Sequence, residues 1–387
     1  MALAGTGGDV LKVGLLGAGR IAAIHAETLA GAREVGEVAI FDPVRPAAEA
    51  LAVRIDHRRD GRPPVRVAGS VDELLGLVDA VVVATPSSTH AELVGRAAAA
   101  GLPVFCEKPI ALDLDGVDAV LAAVAAAGVQ LQVGFQRRFD PGYLAVREAI
   151  AGGSLGRVLM LRATAFDHVP PPAGYLPTSG GIHADMLVHD FDAVRWLTGR
   201  RVAEVYAAGA VLTDEVFAEH GDVDTTAVVL RLDDGTIATL TGSRVDPLGY
   251  DHRIEVLGTE DSLAVALDGR APIHRLGTGG GPPAVPGDGP PPGDAPPAGT
   301  SSAPARPAAA ATPATPATPA TPAYAGFADR FRDAYRAEMQ AFIALALGRG
   351  PNGCDGAEAR AAMVVALAAN RSMAERRPVA PDEVAVA

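Results

Sequence analysis

The stretch VGLLGAGRIA, residues 13–22, runs from an apolar strand-like segment through a turn rich in glycine into a helical pattern. Gly17, Gly19 and Ala22 stand in G-x-G-x-x-A spacing. In this pattern the first glycine permits the tight turn and the second lets the backbone approach a pyrophosphate. The third small residue lets the helix pack on the strand. Ala18, Arg20 and Ile21 complete the turn, and the amides at the start of the following helix suit an anion. The expected ligand is a dinucleotide.

The surrounding chain supplies the context that such a turn needs. VLKVGLLG, EVAIF, VRVA, DAVVVATP, PVFCEK and LQVGF read as strands. IAAIHAETLAG, PAAEALAVRI, VDELLGL, HAELVGRAAAAG and DGVDAVLAAVAAAG read as the helices between them. The strands are apolar on both faces, as in a sheet covered by helices on both sides. The alternation predicts an α/β Rossmann-type doubly wound parallel sheet over residues 9–135. Asp42 ends the second strand, 25 residues after Gly17, near the separation of about 20 expected for the acid that holds the ribose hydroxyls. A carboxylate there favours NAD and repels the extra phosphate of NADP. Arg45 lies close enough in sequence to receive that phosphate if the loop turns inward, so NADP stays open as a secondary cofactor. An ordinary turn aspartate is the competing reading of Asp42.

Beyond Phe139 the rhythm changes. YLAVREAIAGG reads as a helix, RVLMLRATAF as a strand, and a further helix is expected from about Ala184 to Thr198. TTAVVLRLDDGTIATLTGSRV pivots on Asp234-Gly235, a strong hairpin signal, and HRIEVLGTEDSLAVAL suggests another hairpin. An α+β second domain with a large, mainly antiparallel open sheet is predicted over residues 136–276 and 324–387, ending in amphipathic helices. Residues 277–323 are almost entirely Gly, Ala, Pro, Ser and Thr. Such a composition predicts a disordered Pro/Ala-rich insertion, either a tether or a tolerated surface loop.

Bulk properties narrow the function classes. The chain has 387 residues, enough for two cores, and a net charge of −13 that argues against nucleic acid or an anionic membrane as partner. The two cysteines, Cys106 and Cys354, make no disulfide framework, so a reducing compartment is expected. No apolar run approaches the roughly 20 residues needed to span a bilayer. The opening MALAGTGGDV lacks the basic start and apolar middle of a secretory signal. A cytoplasmic location follows as the expectation.

Two further stretches carry candidate chemistry. Of the 33 basic residues only Lys12 and Lys108 are lysines, and Lys108 sits in FCEKPIALD, at the carboxyl end of the fifth strand where ligands bind in such sheets. An amine can be tuned by its surroundings and a guanidinium cannot. The second stretch is SGGIHADMLVHDFDAVRWLTG, residues 179–199. Asp185 and His189 are four apart and share a helical face, while Phe191, Val194 and Leu197 can bury an adjacent stripe. Gly180 and Gly181 suggest a close backbone approach.

Joined to a nicotinamide domain, His189 can take the hydroxyl proton of a secondary alcohol. Asp185 would fix the ring's tautomer, and Lys108 would hydrogen-bond the same oxygen. A buried histidine satisfied by Asp185 is the bland alternative. A metal held by His183, Asp185 and His189 is disfavoured because His183 and Asp185 fall on different helical faces, so no metal is expected. Asp190 and Asp192 are expected to be solvated charges.

G-x-G-x-x-A, ATPSSTH, EKP and SGG-x-x-x-D-x-x-x-H-D occur here in the order and approximate spacing of the glucose-fructose oxidoreductase, inositol dehydrogenase and rhizopine-catabolism (Gfo/Idh/MocA) oxidoreductases. The chain resembles this family throughout except in residues 277–323. Through VGFQRRFDPGY, DHVPPPAGY, SGGIHADMLVHDFD and GYDHRIEVLG it is most similar to inositol 2-dehydrogenases. The resemblance implies NAD-dependent oxidation of a ring hydroxyl of a cyclitol, with myo-inositol the first expectation.

The same resemblance implies that Lys108, Asp185 and His189 form a catalytic triad and that Thr85, Pro86, His90 and Glu107 line the cofactor site. It implies a cis Lys108-Pro109 bond, and that Arg137, His168 and Tyr250 border the polyol. It further implies a homodimer or homotetramer associating through the outer face of the second sheet. The insertion and TGSRVDPLGYDH depart from the pattern. A sugar or scyllo-inositol dehydrogenase, an NAD-retaining glycosidase and a non-catalytic NAD-sensing regulator are the alternatives.

Overall fold

Glycine at position 17 is required by the backbone. Its φ is +104°, and a Cβ there would lie 2.5 Å from the carbonyl oxygen of Ala84. This turn opens the first half of the protein, for which a computed structural model describes residues 10–59, 61–273 and 322–385. The turn joins β1 (Leu11–Leu16) to α1 (Arg20–Gly31). There follow β2 (Val35–Phe41), α2 (Arg45–Asp56), β3 (Arg66–Val67), α3 (Val71–Leu75) and β4 (Ala80–Val83). The half closes with α4 (His90–Ala99), β5 (Val104–Glu107), α5 (Leu114–Ala127) and β6 (Leu131–Gly134). The strand order β3-β2-β1-β4-β5-β6 is parallel throughout, with the order reversing between β1 and β4. All six expected strands and five expected helices are present. The strands β1, β4, β5 and β6 are buried over nearly their whole length, which explains why they read as unbroken apolar runs.

The second half begins with α6 (Pro141–Ala151), which is capped by the Asp140 side chain. Its sheet is formed by β7 (Val158–Phe166), β8 (Val202–Ala210), β9 (Thr225–Leu232), β10 (Ile237–Ser243), β11 (Asp251–Gly258) and β12 (Ser262–Val265). The order is β12-β11-β7-β10-β9-β8, with only β7 and β10 parallel. Between β7 and β8 lie a 3₁₀ segment (Ala173–Thr178), a π-type turn (His183–Leu187) and α7 (Val188–Thr198). The short α8 (Val216–Glu219) lies between β8 and β9. The chain ends in α9 (Phe327–Arg330), α10 (Arg332–Ala346), α11 (Gly356–Glu375) and α12 (Asp382–Ala385).

These C-terminal helices, expected with the second sheet alone, are shared between the two halves. Met339, Phe342 and Ile343 of α10 join the core beneath β1, β2 and α1, whereas Met363, Val365 and Ala366 of α11 join the core of the second sheet. The amphipathic pattern of each helix is visible in sequence, but the surface it covers is not. Of the expected insertion, residues 277–321 lie outside the described residues.

Candidate active site

The carboxyl edge of the first sheet meets the π-type turn of the second half. Lys108 follows β5 directly and its peptide bond to Pro109 is cis. Its ammonium donates to the backbone carbonyl of Asp185 and, at 3.2 Å, to the Oδ1 of the same residue. Lys12, the other lysine, is half exposed and pairs with Glu37 on the surface. The retained amine therefore sits where the first half touches the second.

Asp185 is gripped from three sides. Besides Lys108, Tyr175 donates its hydroxyl to Oδ1 at 2.9 Å and Arg244 donates to Oδ2 at 2.8 Å. Burial works to raise its pKa, but Lys108 and Arg244 outweigh it and hold the carboxyl down at about 2. Asp185 accepts no hydrogen bond from His189 among the described contacts, contrary to the expected Asp-His pairing. In the π-type turn the helix is wider than 3.6 residues per turn, so residues four apart no longer stack.

His189 packs edge-on against Phe135 with ring centroids 5.6 Å apart, and its Nδ1 is buried with no hydrogen-bond partner. Burial, then the charges of Lys108, Arg137 and His252, push its ionisation well below the ordinary histidine value. The ring is thus held neutral at neutral pH. His183, weighed as a metal ligand, is tied to Asn370 and Thr226.

The cofactor turn is built as the motif requires. A Cβ on Gly19 would meet nothing within 4 Å, leaving open space over the start of α1, where no side chain caps the amides. Ala18 is half-buried, Arg20 is exposed with its guanidinium over Phe327, and Ile21 packs beneath. Asp42 accepts from the amides of Ala18 and Val44, both at 2.8 Å, and a carboxylate has further lone pairs for ribose hydroxyls. These features fit a dinucleotide. Arg45 pairs with Glu49 at 2.8 Å on the exposed face of α2, away from the inward turn that would receive an NADP phosphate.

Thr85 joins its hydroxyl to that of Thr89, and Pro86 is exposed beside it. His90 and Glu107, implied to line the site, are buried and brace its loops. The ring nitrogens of His90 face the carbonyls of Thr85 and Pro109 at 2.9 and 2.7 Å, and Glu107 meets His25 of α1 at 2.6 Å. They tie the loops after β4 and β5 to each other and to α1.

The implied polyol residues divide in the same way. His168 is exposed, its Nδ1 2.9 Å from the carbonyl of Asp246. Arg137 and Tyr250 are only 2% and 7% exposed. Arg137 donates to Asp190 and meets His252 at 2.8 Å, and Tyr250 stacks on that histidine at 4.0 Å. Asp190 and Asp192, expected in solvent, are completely buried and pair with Arg137 and Arg138. Sequence reasoning missed Arg244, Tyr175 and His252. Arg244 continues the inward-facing alternation of β10 at Ala238, Leu240 and Gly242, a signal that could have exposed it. Tyr175, in a proline-rich loop, carries no such signal.

Comparison with known proteins identifies both halves of the chain. Residues 11–135 match the oxidoreductase family with an NAD-binding Rossmann fold, and residues 143–264 match the GFO/IDH/MocA C-terminal domain. Inositol 2-dehydrogenase of Rhizobium meliloti is 38% identical over 95% of this chain and 98% of its own. The NAD(+)-dependent scyllo-inositol 2-dehydrogenase of Bacillus subtilis is 33% identical over 66% of this chain and 73% of its own. The crystal structure of a myo-inositol dehydrogenase from Corynebacterium glutamicum superposes with a TM-score of 0.76 at 28% identity, covering 96% of this chain and 98% of that one.

Proposed function

This chain belongs to the GFO/IDH/MocA family of NAD-dependent oxidoreductases, and we propose that within it the protein oxidises a ring secondary hydroxyl of a cyclitol, myo-inositol first, to the ketone. The observation that carries the proposal is the meeting of Lys108, from the cofactor sheet, with Asp185, one turn before His189, at 3.2 Å. When bound at the glycine turn, NAD supplies the hydride acceptor. The protein's residues handle the oxygen and its proton. His189, held neutral, accepts the hydroxyl proton, and the Lys108 ammonium stabilises negative charge developing on the same oxygen. Asp185 keeps that ammonium in place. The test is steady-state NADH formation with myo-inositol, scyllo-inositol and glucose. Turnover with an inositol above that with glucose supports the reading, and turnover with glucose alone overturns the cyclitol assignment.

The preference for NAD is read from Asp42. Asp42→Ala should raise the Kd for NAD about 10- to 100-fold, in line with about 1.5–3 kcal/mol for hydrogen bonds to a charged group. Titration of the cofactor measures this. An unchanged Kd would remove Asp42 from the ribose site.

Association of like subunits, as a dimer or tetramer, is read from the solvent face of the second sheet. Tyr206 and Val229 are paired across β8 and β9, and Leu257 and Met160 across β11 and β7. With Ile237 they share one side of the sheet, where Tyr206, Val229 and Leu257 stay more than 40% exposed. A cytoplasmic location is supported by the free, buried Cys106 and Cys354. Among the described residues no helix is long and apolar enough to cross a membrane.

A further inference from the structure

Arg244 is a buried cation whose presence packing does not explain. The residue is 1% exposed, and its Nε and one terminal nitrogen have no hydrogen-bond partner. A buried guanidinium left partly unsatisfied costs stability, and an apolar side chain of similar volume would suit such a position. Its remaining contacts are two carboxylates. It donates to Oδ2 of Asp185 at 2.8 Å and lies 3.5 Å from Asp222. Asp222, from the loop before β9, accepts from the amide of Ile182 at 2.8 Å, at the very start of the π-type turn that carries Asp185. Gly181, at φ +81°, brings the chain so close that a Cβ would stand 3.1 Å from the Asp222 carboxylate.

We propose that Arg244 and Asp222 are positioning residues for the oxidation, fixing the far edge of the Asp185 carboxylate so that Lys108 keeps a proton free for the substrate oxygen. The inference rests on the catalytic reading of Lys108 and Asp185. Charges alternate through the cluster as Lys108, Asp185, Arg244 and Asp222, so it is neutral as a unit. Lys108 has three N–H donors. One goes to the Asp185 carbonyl and a second makes the 3.2 Å contact with Oδ1, leaving the third. Without Arg244, Oδ2 loses its cation, and the carboxylate turns to Lys108 as its only remaining positive partner. The ammonium is then drawn away from the reacting oxygen.

The groups facing Asp185 are Lys108 after β5, Tyr175 in the 3₁₀ segment and Arg244 after β10. Asp222 and Asp167 act on Arg244, and His189 lies one turn further on. Of these, Lys108 and Arg244 are the cations that keep Asp185 ionised in acid. In the wild type the base His189 sets the acid limb of the rate profile; removing Arg244 moves the protonation of Asp185 upward, so that Asp185 joins that limb and carries it to higher pH.

The experiment compares Arg244→Met, Arg244→Lys and Asp222→Asn in the full-length enzyme with NAD and the best inositol. Measured are kcat, KM, the Kd for NAD and the pH dependence of kcat/KM. The expected results are a kcat lowered by about 10²-fold in Arg244→Met, as for displaced catalytic groups, an acid limb moved to higher pH, and an unchanged NAD Kd. Arg244→Lys should recover part of the rate, and Asp222→Asn should lower kcat by less than Arg244→Met without moving the limb upward, because it removes an anion and leaves the Arg244 cation on Asp185. An unmoved acid limb in Arg244→Met, or a loss confined to thermal stability with kcat intact, overturns the proposal. Lys108→Ala is run in parallel. If it retains full activity, the catalytic reading itself fails, whereas abolished activity beside an unmoved Arg244→Met profile defeats the positioning role alone.

Discussion

His189→Gln is expected to lower kcat/KM for the inositol about 10²–10⁴-fold, the range for loss of a general base, with NAD affinity unchanged. Lys108→Ala should cost about 10²–10³-fold, as for loss of a donor to a developing oxyanion. Initial rates and cofactor titration separate the two effects. The depressed ionisation of His189 adds a pH signature. Above about 6.5 the imidazole is neutral in folded and unfolded chains alike. As pH falls below that value the unfolded chain takes up a proton that the folded site refuses, so stability present at neutral pH is lost on acidification. The wild-type acid limb in kcat/KM should lie below 6.5, and His189→Gln should lessen the acid loss of thermal stability. His252 and His183, also lowered by burial, add to that loss and remain in the variant. Full activity in His189→Gln would mean that another group takes the proton.

Asp190→Ala is expected to destabilise the fold by about 3–5 kcal/mol, the cost of leaving one member of a buried ion pair alone. Arg137 would remain at 2% exposure between the rings of Tyr143 and Phe331, with only His252 as a polar partner. The pair also stands behind His189, so the variant should lose activity beyond its loss of stability. Equilibrium unfolding in denaturant measures the first effect. A change within about 1 kcal/mol, as for a solvent-exposed pair, would contradict the buried arrangement. Replacing both members, as in Arg137→Met with Asp190→Leu, should recover much of the stability and none of the activity.

The first sheet was legible because each signal is local. Glycine at 17 and the strand-helix alternation point to the turn, the parallel strands and the crossovers without reference to distant residues, whereas the strand order is seen only in the structure. The Asp234-Gly235 hairpin between β9 and β10 was legible for the same reason, with Gly235 at φ +89°. Lys108, Asp185 and His189 were singled out by residue type and place, but their partnerships were not. The i,i+4 rule assumes an ordinary helix and fails in the π-type turn around Asp185.

The acids of α7 read as solvated because polarity alone points to solvent. That helix is buried on nearly every side, and the partners of Asp190 and Asp192 lie 53 and 54 residues earlier, at Arg137 and Arg138. Arg244 completes Asp185 from 59 residues away. No local pattern reports a counter-ion at such separation. For His90 and Glu107 the family motif marks the loops after β4 and β5, while burial decides that these side chains brace them.

The most direct test of the account is a single turnover of the enzyme with NAD and myo-inositol carrying deuterium on the carbon of the reacting hydroxyl. The account predicts deuterium in the reduced nicotinamide, formed at a rate that collapses in both Lys108→Ala and His189→Gln. Reduced cofactor without the label, or label transfer undiminished in both variants, would contradict it.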